Sequence, residues 1–454
     1  MREPAAFKLA PSELVLPGIV ALSALFAVVL TPVSLLPAFA VGAGLILLAS
    51  FAIRADELLR LLPLGLALTP ALAMLGFRFA DGVGTVLVVG LLALMTVTAY
   101  RTRLVAVFGL SEFAFLFFAL GLALGTIHGD GVSHELTIVR SLLPFLLAWV
   151  LGRAVTRVRG SGEVVWWTAA IFLLINASLG ILEGFTRSDL VAFPETGLVE
   201  IGQTGFARPN GFLSTDIDFG LSMTLCVAVM LGGPAVNGAA RWTIPIAMLG
   251  SVAVVLASFR TGWIALALIW LAWLIGRNAR TWLVAGAVLL VAIPLLIQPV
   301  NELAGSEYVQ ERVVSQSNVS AREVAFDQAW QLFVQDPVLG VGLNGFQVDP
   351  LVLSAPGVVV TPHNLWLGVL AELGLAGFIG LFLVVLTTIL NCLHVRRSHL
   401  ADRPGGRGVI WACFAILPFS LTFHILLVPT SILLVGFIIG AVRGMALADG
   451  AERR

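Results

Sequence analysis

A histidine stands where a long apolar segment begins, in the stretch TPHNLWLGVLAELGLAG from Thr361 to Gly377. The imidazole of His363 has an unperturbed pKa of about 6.5, so it can accept a proton from a reacting group at neutral pH. Asn364 follows it, and an asparagine at a helix start accepts a backbone N–H hydrogen bond. The residue types at this boundary fit a general base. A histidine that only packs or caps at a helix end would satisfy the same pattern.

Three arginines are candidates for binding an anion beside this histidine: Arg208 in ARPNG, Arg260 in SFRTGW and Arg322 in SARE. A guanidinium stays charged in a low-dielectric setting and binds phosphate oxygens through two parallel hydrogen bonds. We expect the three to surround His363 and to bind a lipid diphosphate. The simpler alternative is that each arginine extends toward lipid headgroups.

The acidic residues near these segments are weaker candidates. Asp218, with Asp216, stands at the start of an apolar segment, where acidic side chains stabilise a helix N-terminus. Glu372 lies about 12 Å beyond Asn364 along a helix, and both a hydrogen bond between helices and a functional role are open to it. The chain has no phosphate-binding loop, dinucleotide fingerprint, HExxH or paired-cysteine motif, so we expect neither metal nor cofactor.

The elements that must position these residues are transmembrane helices. Of 454 residues, 59% are hydrophobic and only 11% are charged, which predicts an all-α polytopic membrane protein. The net charge of zero gives no indication of nucleic acid as a partner. We predict about 12–14 spans, because short or re-entrant segments reduce the higher count. The fourteen candidates begin near Leu14, Val33, Leu61, Val83, Phe108, Ile138, Val164, Phe212, Trp242, Gly262, Trp282, Asn364, Val409 and Leu427.

The arginines also predict the orientation. When alternate loops are assigned to two sides, 19 basic residues fall on one side and 6 on the other. The positive-inside rule places the first set and both termini in the cytoplasm. We therefore expect one integral membrane domain with helices in residues 1–297, an external loop over 298–363 and further helices in 364–454. His363 and the three candidate arginines are then external.

The long loop carries a predicted surface helix. SARE, from Ser320 to Glu323, matches a capping box, which places the helix start at Ser320 and Arg322 in the first turn. Apolar residues recur at helical spacing and Asp336-Pro337 ends the pattern. We expect an amphipathic helix that acts as a lid, with a buried face formed by Ala325, Ala329, Leu332 and Phe333.

The histidine segment resembles the ligase signature of the O-antigen ligase and polymerase superfamily of bacterial envelopes. In that signature a histidine and a small amide or hydroxyl residue are followed by nine residues, a glycine, two residues and a glycine. His363, Asn364, Gly374 and Gly377 match this spacing in full. Gly374, Gly377 and Gly380 recur every three residues, and this spacing is also typical of close helix packing.

Two further segments are similar to the same superfamily. SAREVAFDQAWQLFVQDPVLGVGLNGF resembles its helix and glycine-rich turn before the histidine, and SFRTGW resembles its arginine hairpin. Ile264 stands four residues after Arg260, where the superfamily usually has leucine. The resemblance covers residues 208–380.

The resemblance implies a metal-independent, inverting glycosyltransferase with a glycosyltransferase-C-like helical architecture. It implies a glycan donor linked to undecaprenyl diphosphate, on the outer (periplasmic) face of the bacterial inner membrane. His363 is then the base that deprotonates the acceptor hydroxyl, and Arg260 and Arg322, with Arg208, bind the diphosphate. Asn364, Asp218 and Glu372 are supporting residues.

The alternative enzyme functions differ in the acceptor that receives the glycan. The full signature match favours a ligase, which transfers the glycan to lipid A–core. A polymerase transfers it to another lipid-linked repeat, and a related enzyme transfers it to Ser or Thr of a protein. A polysaccharide or lipid transporter is a different class, and it requires charged residues along a path through the bilayer.

Overall fold

The computed structural model describes residues 109–128, 143–156, 161–186, 209, 211, 213, 215–233, 239–257, 260–275, 316–343, 345–353, 362–402, 405–424 and 429–452. In this part of the chain the structure contains α-helices, one 3-10 helix over His399–Asp402, and no strand. The α-helices are α1 Leu110–His128, α2 Leu143–Val155, α3 Ser161–Thr186, α4 Asp216–Leu231, α5 Ala240–Leu256, α6 Arg260–Ile275, α7 Gln316–Gln335, α8 Gly345–Val348, α9 Pro350–Leu353, α10 Leu365–Arg396, α11 Gly406–Thr422 and α12 Pro429–Glu452.

Three of these helices are long and apolar enough to cross a membrane: Gly162–Thr186 within α3, Leu365–Arg396 as α10, and Ser431–Gly450 within α12. A span of the hydrocarbon core takes about 20 residues. Five shorter apolar helices accompany them, as parts of α1, α4, α5, α6 and α11. The predicted all-helical class is therefore confirmed over the described residues, three of whose helices could span a membrane. The predicted spans near Leu14, Val33, Leu61, Val83 and Trp282, and the predicted boundary at residue 298, lie outside the described residues.

Small residues let α1 and α10 approach closely. A Cβ built on Gly121 of α1 would lie 3.1 Å from the Cα of Gly377 in α10, and one built on Gly380 would collide with the backbone of Phe118. The other side of α10 presents large apolar side chains to the exterior, including Leu375 and Phe382. α10 thus packs through its glycines on one face and exposes a lipid-compatible face on the other.

Gly374, the first residue of the series Gly374, Gly377 and Gly380, contacts the turn after α7 and does not serve packing against α1. Its φ of 60° and ψ of −161° interrupt the helical geometry inside α10. The turn that follows α7 occupies this break. Four backbone hydrogen bonds cross it, two from the turn and two from the helix: Val341 N–H to Ala371 C=O, Gly342 N–H to Glu372 C=O, Leu375 N–H to Pro337 C=O, and Ala376 N–H to Val338 C=O.

Two glycines make this close contact between the turn and α10 possible. Gly340 has φ 71°, and a Cβ on it would collide with the backbone of Glu372. A Cβ on Gly374 would collide with the backbone of Val338. Both positions combine a left-handed backbone with a close backbone contact, and glycine tolerates this combination best. The turn after α7 is thereby bound to the middle of a membrane-spanning helix.

The predicted start of α7 was wrong. The helix begins at Gln316, so Ser320 lies inside it and Arg322 lies in its second turn. Ser, Asn and Gln are tolerated inside a helix as well as at its start, so a capping-box pattern alone does not determine the first residue. The predicted end is confirmed, because α7 stops at Gln335, directly before Asp336-Pro337.

Candidate functional site

The site is built around the first turn of α10. Asn364 is the N-cap residue, in an extended conformation, and its Oδ1 accepts the backbone N–H groups of Trp366 at 2.9 Å and Leu367 at 3.1 Å. Its Nδ2 donates to the carbonyl of Leu421 at 3.2 Å, near the end of α11. The expected capping role of Asn364 is observed, and the same side chain also joins the start of α10 to the end of α11.

His363 precedes this cap in an unusual conformation. Among the described residues it is the one non-glycine residue with a positive φ, at 44°. Such a backbone costs on the order of 1–3 kcal/mol and persists only where surrounding contacts hold it. Burial of the imidazole lowers the pKa of His363, and the positive charge of Arg322 lowers it further. The imidazole is therefore neutral at pH 7 and able to accept a proton.

Arg322 reaches this site from α7. The helix packs through Ala325, Ala329 and Leu332, which are buried, in a cluster that includes Ala371 of α10. Phe333, also predicted on this face, is partly exposed. The Arg322 side chain lies on the exposed surface, with its charge close enough to act on His363.

Arg260 is the first residue of α6, and its backbone position places it at the same end of the bundle. The hydroxyls of Thr261 and Thr422 lie 2.8 Å apart, which joins the first turn of α6 to the last turn of α11. Phe423 follows, and its ring centroid lies 6.4 Å from that of His363. The Arg260 side chain lies outside the described residues.

Arg208 lies outside the described residues, and the nearest described hydrogen bond is made by Gly211. The backbone N–H of Gly211 donates to the Oε2 of Glu183 at 2.8 Å. Glu183 is 2% exposed, near the end of α3. The sequence analysis missed Glu183, although a buried acid near the end of an apolar segment is a signal that such a residue has a specific partner.

Asp218 serves the helix framework. It is fully buried, and its Oδ1 accepts both the backbone N–H of Ser431 at 2.8 Å and the Ser431 hydroxyl at 2.6 Å. Ser431 lies in the first turn of α12, where backbone N–H groups have no partner within the helix. Asp218 thus stabilises the start of another helix across the bundle, rather than only its own as expected.

Glu372 forms a buried pair that the sequence analysis did not anticipate. Its Oε2 lies 3.4 Å from the Nε2 of His424, and both side chains have no exposed surface. His424 stands in the apolar stretch LTFHILL and was not singled out. An ionisable residue in such a stretch was the signal available in the sequence. In the described part of the chain no group of three or more His, Cys, Asp or Glu residues could hold a metal ion.

The comparisons address this same region. Residues 245–382 match the model of a family described as O-antigen ligase. A search of curated proteins found no match to the chain. The matched segment contains α6, α7 and the first half of α10, and so it includes Arg260, Arg322 and His363. Proteins of this family are glycosyltransferase-like enzymes. The match over residues 245–382 supports the resemblance of this segment to the O-antigen ligase and polymerase superfamily.

Proposed function

We propose that this protein is an inverting O-antigen ligase, which transfers a glycan from undecaprenyl diphosphate to a hydroxyl of lipid A–core at the outer face of the bacterial inner membrane. One observation carries the proposal most directly. Within the family segment, the half-buried His363 lies directly before α10, where partial burial and the charge of Arg322 on α7 both lower its pKa and favour the neutral imidazole. A neutral imidazole beside a guanidinium suits a reaction that needs both a base and an anion-binding group.

His363 acts as the general base. Its imidazole takes the proton of the acceptor hydroxyl as the acceptor oxygen forms a bond to the anomeric carbon. The bond from that carbon to the diphosphate breaks on the opposite side, and the electron pair leaves with the diphosphate. The positive φ of His363 requires rigid surroundings, and rigid positioning of the base is a major contribution to catalysis.

The arginines bind the diphosphate and compensate the charge that develops on it. Arg260 begins α6, so its guanidinium and the positive end of that helix both favour an anion. Arg322 lies on α7, and Arg208, three residues before Gly211 in the sequence, is the third proposed cation. Preorganised cations of this kind stabilise a leaving diphosphate without reorganisation during the reaction.

The test uses purified protein with a lipid-diphosphate glycan donor, in the presence of EDTA, with lipid A–core or with no further acceptor. The proposal predicts glycan on lipid A–core, and loss of transfer in His363→Ala. His399→Ala is a matched control, because His399 is exposed beyond the other end of α10. Lengthening of the donor glycan without lipid A–core would instead identify a polymerase. Movement of intact donor across a vesicle membrane, without transfer, would identify a transporter.

A further inference from the structure

The buried pair formed by Glu372 and His424 has no part in the reaction described above. The two side chains lie 3.4 Å apart, and among the described residues neither has a hydrogen-bond partner for any of its nitrogen or oxygen atoms. A charged or polar group in such a setting is costly, and loss of either partner leaves the other without compensation. A pair retained at this cost inside an apolar bundle calls for a specific role.

The pair lies directly behind the first turns of α10. A Cβ built on Gly368 would collide with the His424 ring and would lie 2.9 Å from Cγ of Pro362. The imidazole of His424 is therefore confined between Gly368 and Glu372, one and two helical turns beyond Asn364. This confinement determines where the chain emerges at the end of α11.

The residue before His424, Phe423, packs against the ring of the proposed base. Phe423 has φ −156° and ψ 149°, an extended conformation in which successive side chains point to opposite sides. His424 points inward to Glu372, and the Phe423 ring packs 6.4 Å from the His363 ring at 45°. Displacement of His424 would move Phe423 away from His363.

We infer that Glu372 and His424 form a positioning pair, which holds Phe423 against the imidazole of His363 and so determines where the base of the transfer reaction points. This inference rests on the proposed function for the role of His363. The contacts that hold His363 do not depend on the identity of the acceptor.

The experiment compares wild type with Glu372→Gln and Phe423→Leu in lipid nanodiscs. Both variants are expected to lower kcat by about 100-fold, the effect of a displaced catalytic group, and to leave KM for the donor within about twofold. The acidic limb of the kcat–pH profile is expected to move to higher pH, because a less buried His363 regains protons more readily. Phe423→Leu leaves the buried pair intact, so it tests the chain of contacts even if Glu372→Gln folds poorly.

A second readout needs no substrate. Carbethoxylation of His363 by diethylpyrocarbonate, followed by mass spectrometry, reports how exposed the imidazole is. It is expected to be several-fold faster in both variants. A matched control is Asp449→Asn, because Asp449 is also buried and lies 3.0 Å from His394 at the far end of α10. This variant is expected to leave the modification of His363 and kcat unchanged.

The outcomes separate this inference from the proposed function. Unchanged modification of His363 in both variants, with unchanged kcat, would overturn the positioning role. Faster modification of His363, in a protein whose transfer activity survives His363→Ala, would support the positioning contact while rejecting His363 as the base. An equal effect of Asp449→Asn on His363 would also overturn the inference, because the effect would then reflect general loosening of the bundle.

Discussion

The hydroxyls of Thr261 and Thr422 lie 2.8 Å apart, and this contact joins two helices whose positions in the chain differ by 161 residues. Thr261 follows Arg260, and Thr422 precedes the phenylalanine that packs against His363. This contact brings the start of α6 to the end of α11, and Leu421 and Phe423 at that end contact Asn364 and His363. The arrangement explains how two distant sequence motifs form one candidate site.

Thr261→Val tests the contact. The substitution removes the hydroxyl with little change in shape, and the Thr422 hydroxyl keeps its bond to the Pro418 carbonyl at 3.2 Å. We expect a loss of about 1 kcal/mol in stability and a decrease in transfer rate, because the start of α6 is no longer tied to α11. Thr387→Val is the control, since Thr387 bonds to a carbonyl within α10. Equal rates in the two variants would show that the contact does not position Arg260.

His363→Gln is expected to lower kcat by about 10²–10⁴-fold, the usual contribution of a general base. In wild type, kcat should rise as pH increases through the pKa of His363, because only the neutral imidazole accepts a proton. Burial and Arg322 lower this pKa, so the midpoint of the rise is expected below the ordinary histidine value. A kcat–pH profile measures it. A midpoint above that ordinary value would contradict the assignment.

Arg322 is expected to affect the kcat–pH profile in two ways, through its charge and through its hydrogen bonds to the diphosphate. Arg322→Ala removes a positive charge, so the pKa of His363 should rise and the acidic limb should move to higher pH. Arg322→Lys retains the charge but loses the paired hydrogen bonds of the guanidinium. We therefore expect the limb to stay in place while kcat falls. Full activity of the lysine variant would argue against bidentate binding of the diphosphate.

Arg260→Ala should also abolish most of the transfer, because the leaving diphosphate loses a cation. Arg241→Ala provides a matched control. Arg241 is exposed at the start of α5, where its guanidinium lies 5.6 Å from the ring of Trp242. Initial rates and donor KM should show a large loss for the first variant and near wild-type values for the second. Similar losses in both would indicate a general effect of surface charge.

Gly374→Ala tests the break in α10. Alanine is strained at φ 60°, and its Cβ would collide with the backbone of Val338. We expect a lower melting temperature and a loss of more than about 2 kcal/mol, the range for strain combined with a backbone clash. Gly450→Ala, with no atom within 4 Å of the added Cβ, should be neutral or stabilising. Thermal unfolding in detergent measures both.

Local features of the chain were predictable from sequence. The apolar segments predicted helices, because a bilayer requires backbone groups to be paired within the segment. Asn364 was recognised as a helix-start residue and Asp336-Pro337 as a helix end, because caps and proline act on their immediate neighbours. The signature at His363 could also be recognised, because all of its residues lie in one continuous segment.

Tertiary structure decided the rest. The sequence predicted Gly374 as one of three packing glycines, yet it forms a break that is filled by a turn more than thirty residues earlier. Glu372 pairs with His424, which lies 52 positions later in the sequence. Asp218 accepts a hydrogen bond from Ser431, which lies 213 positions later. The sequence alone determined the helical class, the candidate base and the arginine-bearing segments, because those follow from local composition and spacing. Only the tertiary structure decided which buried polar groups form pairs. Helix packing brings these groups together from segments that are far apart in the sequence.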